Sequence, residues 1–506
     1  MYRAEAAAVA SGATFTELME RAGRTCAGII RDEYCKDGKK NILIISGKGK
    51  NGGDGFVIAR YLTEWGHNVS ILLACGKPAG GDEKDNFSLL EIAGADITEY
   101  TGDTAALSAK LKEADVTVDA VFGTGFRGRL DRPLEEMARY VNAISKKTVS
   151  IDVPSGVDCD TGLSEGEIFL PDMTIAISAF KPVHVTKPFC AVCKRIRVAD
   201  IGIKDSDFES IGEPMCHTLE CGEIGTLLPQ RRSNSNKGTY GHAVCIGGSY
   251  RMPGAEYMCV SGAVRTGAGL VTAAFPKSAY PALASRITEA INLPLEDNFD
   301  GTFAFSSLAT LSDYVNKCAA ALIGCGMGYN LDTERLTEGF LKAVRVPLVI
   351  DADALNVIGK NPDILRDTLV PCVLTPHPGE MSRLCGKSIK DILLDPVNTA
   401  REFSMKYNCI TVLKTANTIV CSEDGSRIYF NRTGNSGLSK GGSGDLLAGM
   451  IVSLIAQGVK PYDAAVAGVY MHGDCADFVA AKTSQRGMTV SDMIAALPEY
   501  YGKFEK

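Results

Sequence analysis

The run Gly441-Gly442-Ser443-Gly444-Asp445-Leu446, shortly after Asn435-Ser436-Gly437, combines a glycine loop with a carboxylate. A glycine run that opens a helix leaves backbone N–H groups free and points the positive end of the helix dipole outward. A carboxylate at that helix start can take a proton from a substrate hydroxyl, while the amides stabilise charge on a phosphoryl group in transfer. Asp445 is thus the candidate base. An Asp capping a helix after a flexible loop would look the same, so the motif needs company. Lys237-Gly238-Thr239-Tyr240-Gly241-His242 leads through a strand to Gly247-Gly248-Ser249 and Pro253-Gly254-Ala255. Gly324-Cys325-Gly326-Met327-Gly328 follows an apolar strand, and Thr375-Pro376-His377-Pro378-Gly379-Glu380 follows another. His377 alone, between two prolines, reads first as a rigid turn residue.

The other half carries Gly47-Lys48-Gly49-Lys50-Asn51-Gly52-Gly53-Asp54-Gly55 between a strand and a helix. Close backbone approach and a helix N-terminus suit an anionic, phosphate-bearing ligand. The run also satisfies G-x-G-x-x-G. The redox version of that motif wants an acidic residue at the end of the second strand, and this strand ends Ala74-Cys75-Gly76. Two further strand ends carry carboxylates. Asp119 precedes Gly123-Thr124-Gly125-Phe126-Arg127-Gly128-Arg129, and Asp152 precedes Val153-Pro154-Ser155-Gly156. One such loop is ordinary turn chemistry. Three in one open sheet converge beyond the carboxyl ends of its strands, where ligands bind.

The elements that must position these residues alternate. Apolar strands are expected at 41–46, 69–74, 116–121, 148–153 and 173–178, with a helix at 55–65. A second set is expected at 242–246, 270–274, 320–323, 347–351, 372–375 and 410–414, with helices at 445–457 and 464–481. Gly458 and Pro461 would end the first of these helices. The fold class is therefore α/β, as two doubly wound domains with parallel sheets. Turn-prone sequence around Arg231-Arg232-Ser233-Asn234-Ser235-Asn236 and upstream of it places the break near residue 215, giving domains 1–214 and 215–506.

The 506 residues suit two or three domains, and 45% hydrophobic with 22% charged residues is a globular composition. A net charge of −7 without a dense basic run argues against nucleic acid. No apolar run is long enough for a bilayer, and Met1-Tyr2-Arg3-Ala4-Glu5 is no signal peptide. Seventeen cysteines, an odd number scattered through apolar runs, fit a reducing cytoplasm. The single C-x-x-C, Cys190 to Cys193, lacks a second ligand pair for zinc.

The first-half motifs Gly49–Gly55, Asp119–Gly125 and Asp152–Gly156 resemble the NAD(P)H-hydrate epimerase (YjeF N-terminal) family, with its Rossmann-like fold, over most of residues 1–205. That family interconverts the R and S hydrates of NADH and NADPH at C6. The resemblance implies substrate contacts from Lys50, Asn51, Gly52, Gly53 and Asp54, and from Gly123, Thr124, Gly125, Phe126, Arg127, Gly128 and Arg129. It implies a potassium ion at Asn51, Asp119 and Ser155, an oxygen donor set suited to a hard cation. Asp152 becomes the candidate acid/base group. Lys50 stands where that family often has Asn. The resemblance also sets Met1 partway into the family's first helix, leaving open a start upstream.

The second-half motifs, above all Thr375–Glu380 followed by Gly441–Asp445, resemble the ADP- or ATP-dependent NAD(P)H-hydrate dehydratases, which are ribokinase-like. That family phosphorylates the C6 hydroxyl of the S hydrate and then eliminates phosphate, a far better leaving group than hydroxide. The resemblance implies hydrate contacts from Ala255, Gly326, His377 and Asp445. It implies an adenine-nucleotide site at Lys414, Thr415, Ala416, Asn417, Thr418 and Gly444, with Mg²⁺. Cys325 stands where Pro is frequent, Lys440 where Thr is frequent, and no Gly follows Lys414. Fusion of the two domains favours ADP over ATP, and the family suggests a homo-oligomer. Two alternatives stay open on the residues: a ribokinase-like hydroxymethylpyrimidine or sugar kinase, and a first domain that binds nucleotide without catalysis.

Overall fold

In the computed structural model, residues 1–185, 195–212, 215–219 and 222–504 are described. Cys190 and Cys193 lie outside them. The chain divides into two compact units, Met1–Glu213 and Pro214–Lys506.

The first unit holds seven strands: β1 (Asn41–Ser46), β2 (Asn68–Leu73), β3 (Asp96–Glu99), β4 (Val116–Ala120), β5 (Thr148–Ile151), β6 (Met173–Ile177) and β7 (Ile196–Ala199). They form one sheet in the order β3-β2-β1-β4-β5-β6-β7, parallel throughout. Ile42–Ile45 are buried without a polar interruption, as expected of a strand covered on both faces. The strand order reverses direction between β1 and β4, so their carboxyl ends open a crevice there. The helix after β1 spans Lys50–Glu64 and starts five residues before the expected Gly55. The glycines are thus its first turn rather than a loop. A Cβ on Gly52 would lie 1.9 Å from the Gly47 carbonyl oxygen, so only glycine lets the helix start beneath its own loop.

The second unit holds β8 (Met215–His217), β9 (His242–Ile246), β10 (Leu270–Pro276), β11 (Ile291–Leu295), β12 (Ala320–Ile323), β13 (Leu348–Ile350), β14 (Cys372–Leu374), β15 (Ile410–Leu413), β16 (Ile419–Cys421) and β17 (Arg427–Phe430). The order is β11-β10-β9-β12-β13-β14-β15-β16-β17-β8. β11 through β15 are parallel neighbours, whereas β16 is antiparallel to both β15 and β17. Here the reversal falls between β9 and β12.

The helix Ser443–Ala456 is apolar almost all round and buried, as a helix crossing a core must be. It meets the helix Pro253–Arg265 at close range: a Cβ on Gly449 would fall 2.0 Å from the Cys259 carbonyl oxygen. It ends where expected. Gly458 has φ 91° and Val459 N–H reaches back to the Leu454 oxygen at 3.1 Å, a Schellman closure.

Candidate active sites

In the first unit, a cavity of about 540 Å³ opens at the β1/β4 crevice. Among the expected residues, Lys50, Asn51, Asp54, Gly123, Thr124, Gly125, Phe126, Arg127 and Asp152 line it. Lys48, Tyr2, Phe15 and Lys181 join them. Gly52, Gly53, Gly128 and Arg129 do not line it. Gly52 and Gly53 serve the helix start, Gly128 turns its loop at φ 81°, and Arg129 is bound to Glu135 by two bonds of 2.7 and 3.0 Å. Lys50 Nζ lies over the rings of Tyr2 and Phe15 at 5.1 and 5.0 Å. Arg127 folds its own loop, donating to the Thr124 and Phe126 carbonyls at 2.9 and 2.7 Å.

Asp152 sits at φ 64°, a left-handed conformation that costs a non-glycine residue about 1–2 kcal/mol. Its surroundings hold it there. Its N–H donates to the Ile175 oxygen at 2.8 Å, and its own carbonyl meets His184 Nε2 at 2.7 Å. His184 Nδ1 accepts from the Lys181 backbone at 2.9 Å, so the neutral ring carries its proton on Nε2 and donates it to Asp152. The Asp152 carboxylate accepts from Ile177 N–H at 3.1 Å and from the buried Lys181 ammonium. Asp54 shares this cavity, and burial, with the charges of Asp152 and Glu5, pushes its carboxyl well up.

Asp119, near the end of β4, is fully buried. It accepts from Ser150 Oγ at 2.8 Å, Ser155 N–H at 2.9 Å, Ser155 Oγ at 2.6 Å and Val121 N–H at 3.3 Å. Burial raises its carboxyl against the pull of those bonds. All four partners are neutral. Asn51 Nδ2, also buried, has no partner.

In the second unit, Asp351 at the end of β13 is the hub. It is 2% exposed. Its Oδ1 accepts from Lys414 Nζ at 2.8 Å and Thr375 Oγ1 at 2.7 Å. Cys325 Sγ faces Oδ2 at 3.9 Å. Asp445 completes the group: one carboxylate oxygen each from Asp351 and Asp445, and Cys325 Sγ, lie within 4.8 Å of one another. Burial, with the charge of Asp351, pushes the Asp445 carboxyl up to about 6, against the pull of Cys325 and Lys414. A Cβ on Gly444 would come 3.2 Å from Lys414 Nζ, so Gly444 and Lys414 adjoin. Ala255 and Gly326 also adjoin, with 2.7 Å between the Ala255 Cβ and a Cβ built on Gly326.

His377 caps the helix Pro378–Cys385. Its Nδ1 accepts from Gly379 and Glu380 N–H at 3.0 and 3.2 Å, and burial followed by Lys414 lowers its pKa. Thr415, Ala416, Asn417 and Thr418 form the loop between β15 and β16, closed by Thr415 Oγ1 on the Asn417 carbonyl at 2.6 Å.

Residues 243–499 match a family model described as NAD(P)H-hydrate dehydratase, and residues 15–183 match the YjeF-related protein N-terminus. A bifunctional NAD(P)H-hydrate repair enzyme of Moorella thermoacetica is 35% identical over 95% of this chain and 91% of its own length. The enzyme of the same description from Escherichia coli is 30% identical over 96% of this chain and 89% of its own. The chain belongs to the family of bifunctional NAD(P)H-hydrate repair enzymes.

A solved ribokinase-like superfamily protein from Enterococcus faecalis covers 57% of the chain and 97% of its own, at 26% identity and a TM-score of 0.51. The enzyme thus combines NAD(P)H-hydrate epimerase and NAD(P)H-hydrate dehydratase activities, and the sugar or pyrimidine kinase alternative falls. Three residues of these sites escaped the sequence. Lys181 lies in Phe180-Lys181-Pro182 and Asp351 in Ile350-Asp351-Ala352; each stands at or just beyond a strand end, the signal that singled out Asp119 and Asp152. Glu380 was seen only as the end of a turn, yet burial pushes it up to about 7.

Proposed function

We propose that residues 1–214 epimerise the hydrates and residues 215–506 dehydrate the S form, with Asp152 and Asp445 as their proton-transfer groups. The observation that carries the reading is the charge pattern around Asp445. Lys414 neutralises Asp351, and Asp445, left beside that buried pair, is pushed up to about 6. A carboxylate there is ionised at neutral pH and strong enough to take a hydroxyl proton as phosphoryl transfer proceeds.

In this reading Ala255, Gly326 and His377 hold the hydrate, and Lys414–Thr418 with Gly444 hold the adenine nucleotide. Lys414, the cation nearest Gly444, draws the phosphates to the helix start. Phosphorylated on its C6 hydroxyl, the hydrate loses phosphate from C6 and a proton from the adjacent ring carbon and regains the reduced ring. The thiol beside Asp351 and Asp445 makes that cluster a poor Mg²⁺ site. Mg²⁺ would travel on the nucleotide phosphates, where it neutralises charge.

In the first unit, Asp152 exchanges protons with the hydrate at its C6 hydroxyl, while Lys50, Asn51, Asp54 and Gly123–Arg127 surround the substrate. Asn51, Asp119 and Ser155 fit a potassium ion. Asp119 is a buried carboxylate with neutral partners only, and the unpartnered Asn51 amide can turn its oxygen inward. The ion would supply the missing positive charge.

ADP as the preferred nucleotide, a homo-oligomeric assembly and a cytoplasmic setting complete the proposal. All cysteines among the described residues are free thiols, in keeping with that setting. No helix among the described residues is long and apolar enough to cross a membrane.

The test is recovery of the reduced-nicotinamide absorbance from mixed R and S hydrates, with ADP and then with ATP. Complete recovery requires both units. Recovery halting near half, with spontaneous epimerisation slow, would show that the first unit does not epimerise. A stable phosphorylated product would refute the elimination.

A further inference from the structure

The group around Asp351 has a donor set that phosphoryl transfer does not call for. Cys325 Sγ faces Asp351 Oδ2 at 3.9 Å, and Cys325 Sγ with one carboxylate oxygen each of Asp351 and Asp445 lie within 4.8 Å of one another. The thiol is fully buried, beside the Cys259 thiol. Asp351 Oδ1 is occupied by Lys414 and Thr375, and Oδ2 faces the Cys325 thiol. Behind Cys259, whose thiol lies 3.4 Å from Glu256 Oε2, Glu256 Oε1 is buried with no partner at all. Two carboxylates and a thiol therefore gather beside one lysine.

We propose that Cys325, Asp351 and Asp445 form a site for a thiophilic divalent ion of the Zn²⁺, Co²⁺ or Cd²⁺ type, and that its occupation switches dehydration off. A thiolate with two carboxylates selects such ions over Mg²⁺. Metal–sulfur and metal–oxygen bonds of about 2.3 and 2.0–2.2 Å require the three donors to close by roughly 1 Å. On binding, the thiol proton leaves to solvent. Two carboxylates, one thiolate, Lys414 and the metal then sum to zero charge. The bound ion occupies an oxygen of the proposed base, so the second unit stops while the first is untouched. The binding stands whatever reaction Asp445 serves.

The test uses the full-length chain stripped of metal. Co²⁺ is titrated while the thiolate-to-cobalt charge-transfer absorption is followed. One equivalent per chain is expected. Cys216→Ser, at an exposed thiol, should leave the band unchanged, and Cys325→Ala should remove it. Asp445→Asn should raise the half-saturating concentration about tenfold or more. Zn²⁺ should displace Co²⁺, a large excess of Mg²⁺ should not, and Zn²⁺ should inhibit dehydration but not epimerisation. A band that survives Cys325→Ala, displacement by Mg²⁺, or equal inhibition of both activities would overturn the proposal. If Cys325→Ala melts early, Asp445→Asn at the less buried position decides: unchanged Co²⁺ affinity there refutes the site.

Discussion

Asp445→Asn should make the enzyme more stable and nearly inactive at once. Burial and the Asp351 charge lift the Asp445 carboxyl from 3.8 to about 6. The folded state then holds that proton more tightly than the unfolded chain does. Stability falls as pH rises from about 4 through about 6, and above that the ionised carboxylate costs the fold up to about 3 kcal/mol. An amide of the same shape removes the charge, and its oxygen can still accept from Cys325. We expect a gain of about 1–3 kcal/mol at neutral pH, a rise of roughly 2–8 °C in the melting of the second unit. The gain should vanish near pH 4, where wild-type Asp445 is protonated. Dehydration, read as nucleotide-dependent return of the reduced-nicotinamide absorbance from S hydrate, should drop about 10²–10⁴-fold, with nucleotide still bound. Near-normal turnover would refute the role of Asp445 as base. Melting at or below the wild-type temperature at neutral pH would refute the electrostatic account of why its pKa is raised.

With Mg²⁺ held constant, dehydration kcat/KM should fall about tenfold per pH unit below about pH 6, because a base lifted to that value protonates there; a rate flat to pH 5 would count against it. Asp152→Asn should lower epimerisation about 10²–10⁴-fold while leaving dehydration of pure S hydrate intact, so recovery from mixed hydrates stalls near half. That variant also leaves the buried Lys181 without its carboxylate, and the first unit should lose about 3–5 kcal/mol by denaturant melting. Gly52→Ala puts a Cβ 1.9 Å from the Gly47 oxygen and should destabilise the first unit by a few kcal/mol; a neutral effect would show that the helix start can move.

The strands that carry the sites were the legible ones. β1, β9 and β12 are continuous apolar runs with buried neighbours on both sides, and their bounds could be read from the chain. β3, Asp-Ile-Thr-Glu, and β7, Ile-Arg-Val-Ala, each pair on one side only and carry polar residues, so no apolar run marks them. The helix at Lys50 was misjudged because glycine propensity argues against helix, whereas here close packing against Gly47 demands glycine. Asp445 could be singled out by the glycines before it. Asp351 could not, because its role comes from Lys414 and Thr375, distant in sequence and joined only by the adjacency of β13, β14 and β15.

Each unit places a lysine against a strand-end aspartate, and the difference between the pairs bears on the chemistry. In the first unit Lys181 bonds Asp152 itself, the proposed acid/base group. An epimerase must return every proton it takes. In the second unit the lysine bonds Asp351 instead. Asp445 stands one step away, unpaired, and is pushed up to about 6 by burial and by Asp351. A base in that position holds the hydroxyl proton while the phosphoryl group moves. The same two residue types thus meet differently in the two units: the lysine touches the proposed acid/base group itself in the first and the neighbour of the proposed base in the second.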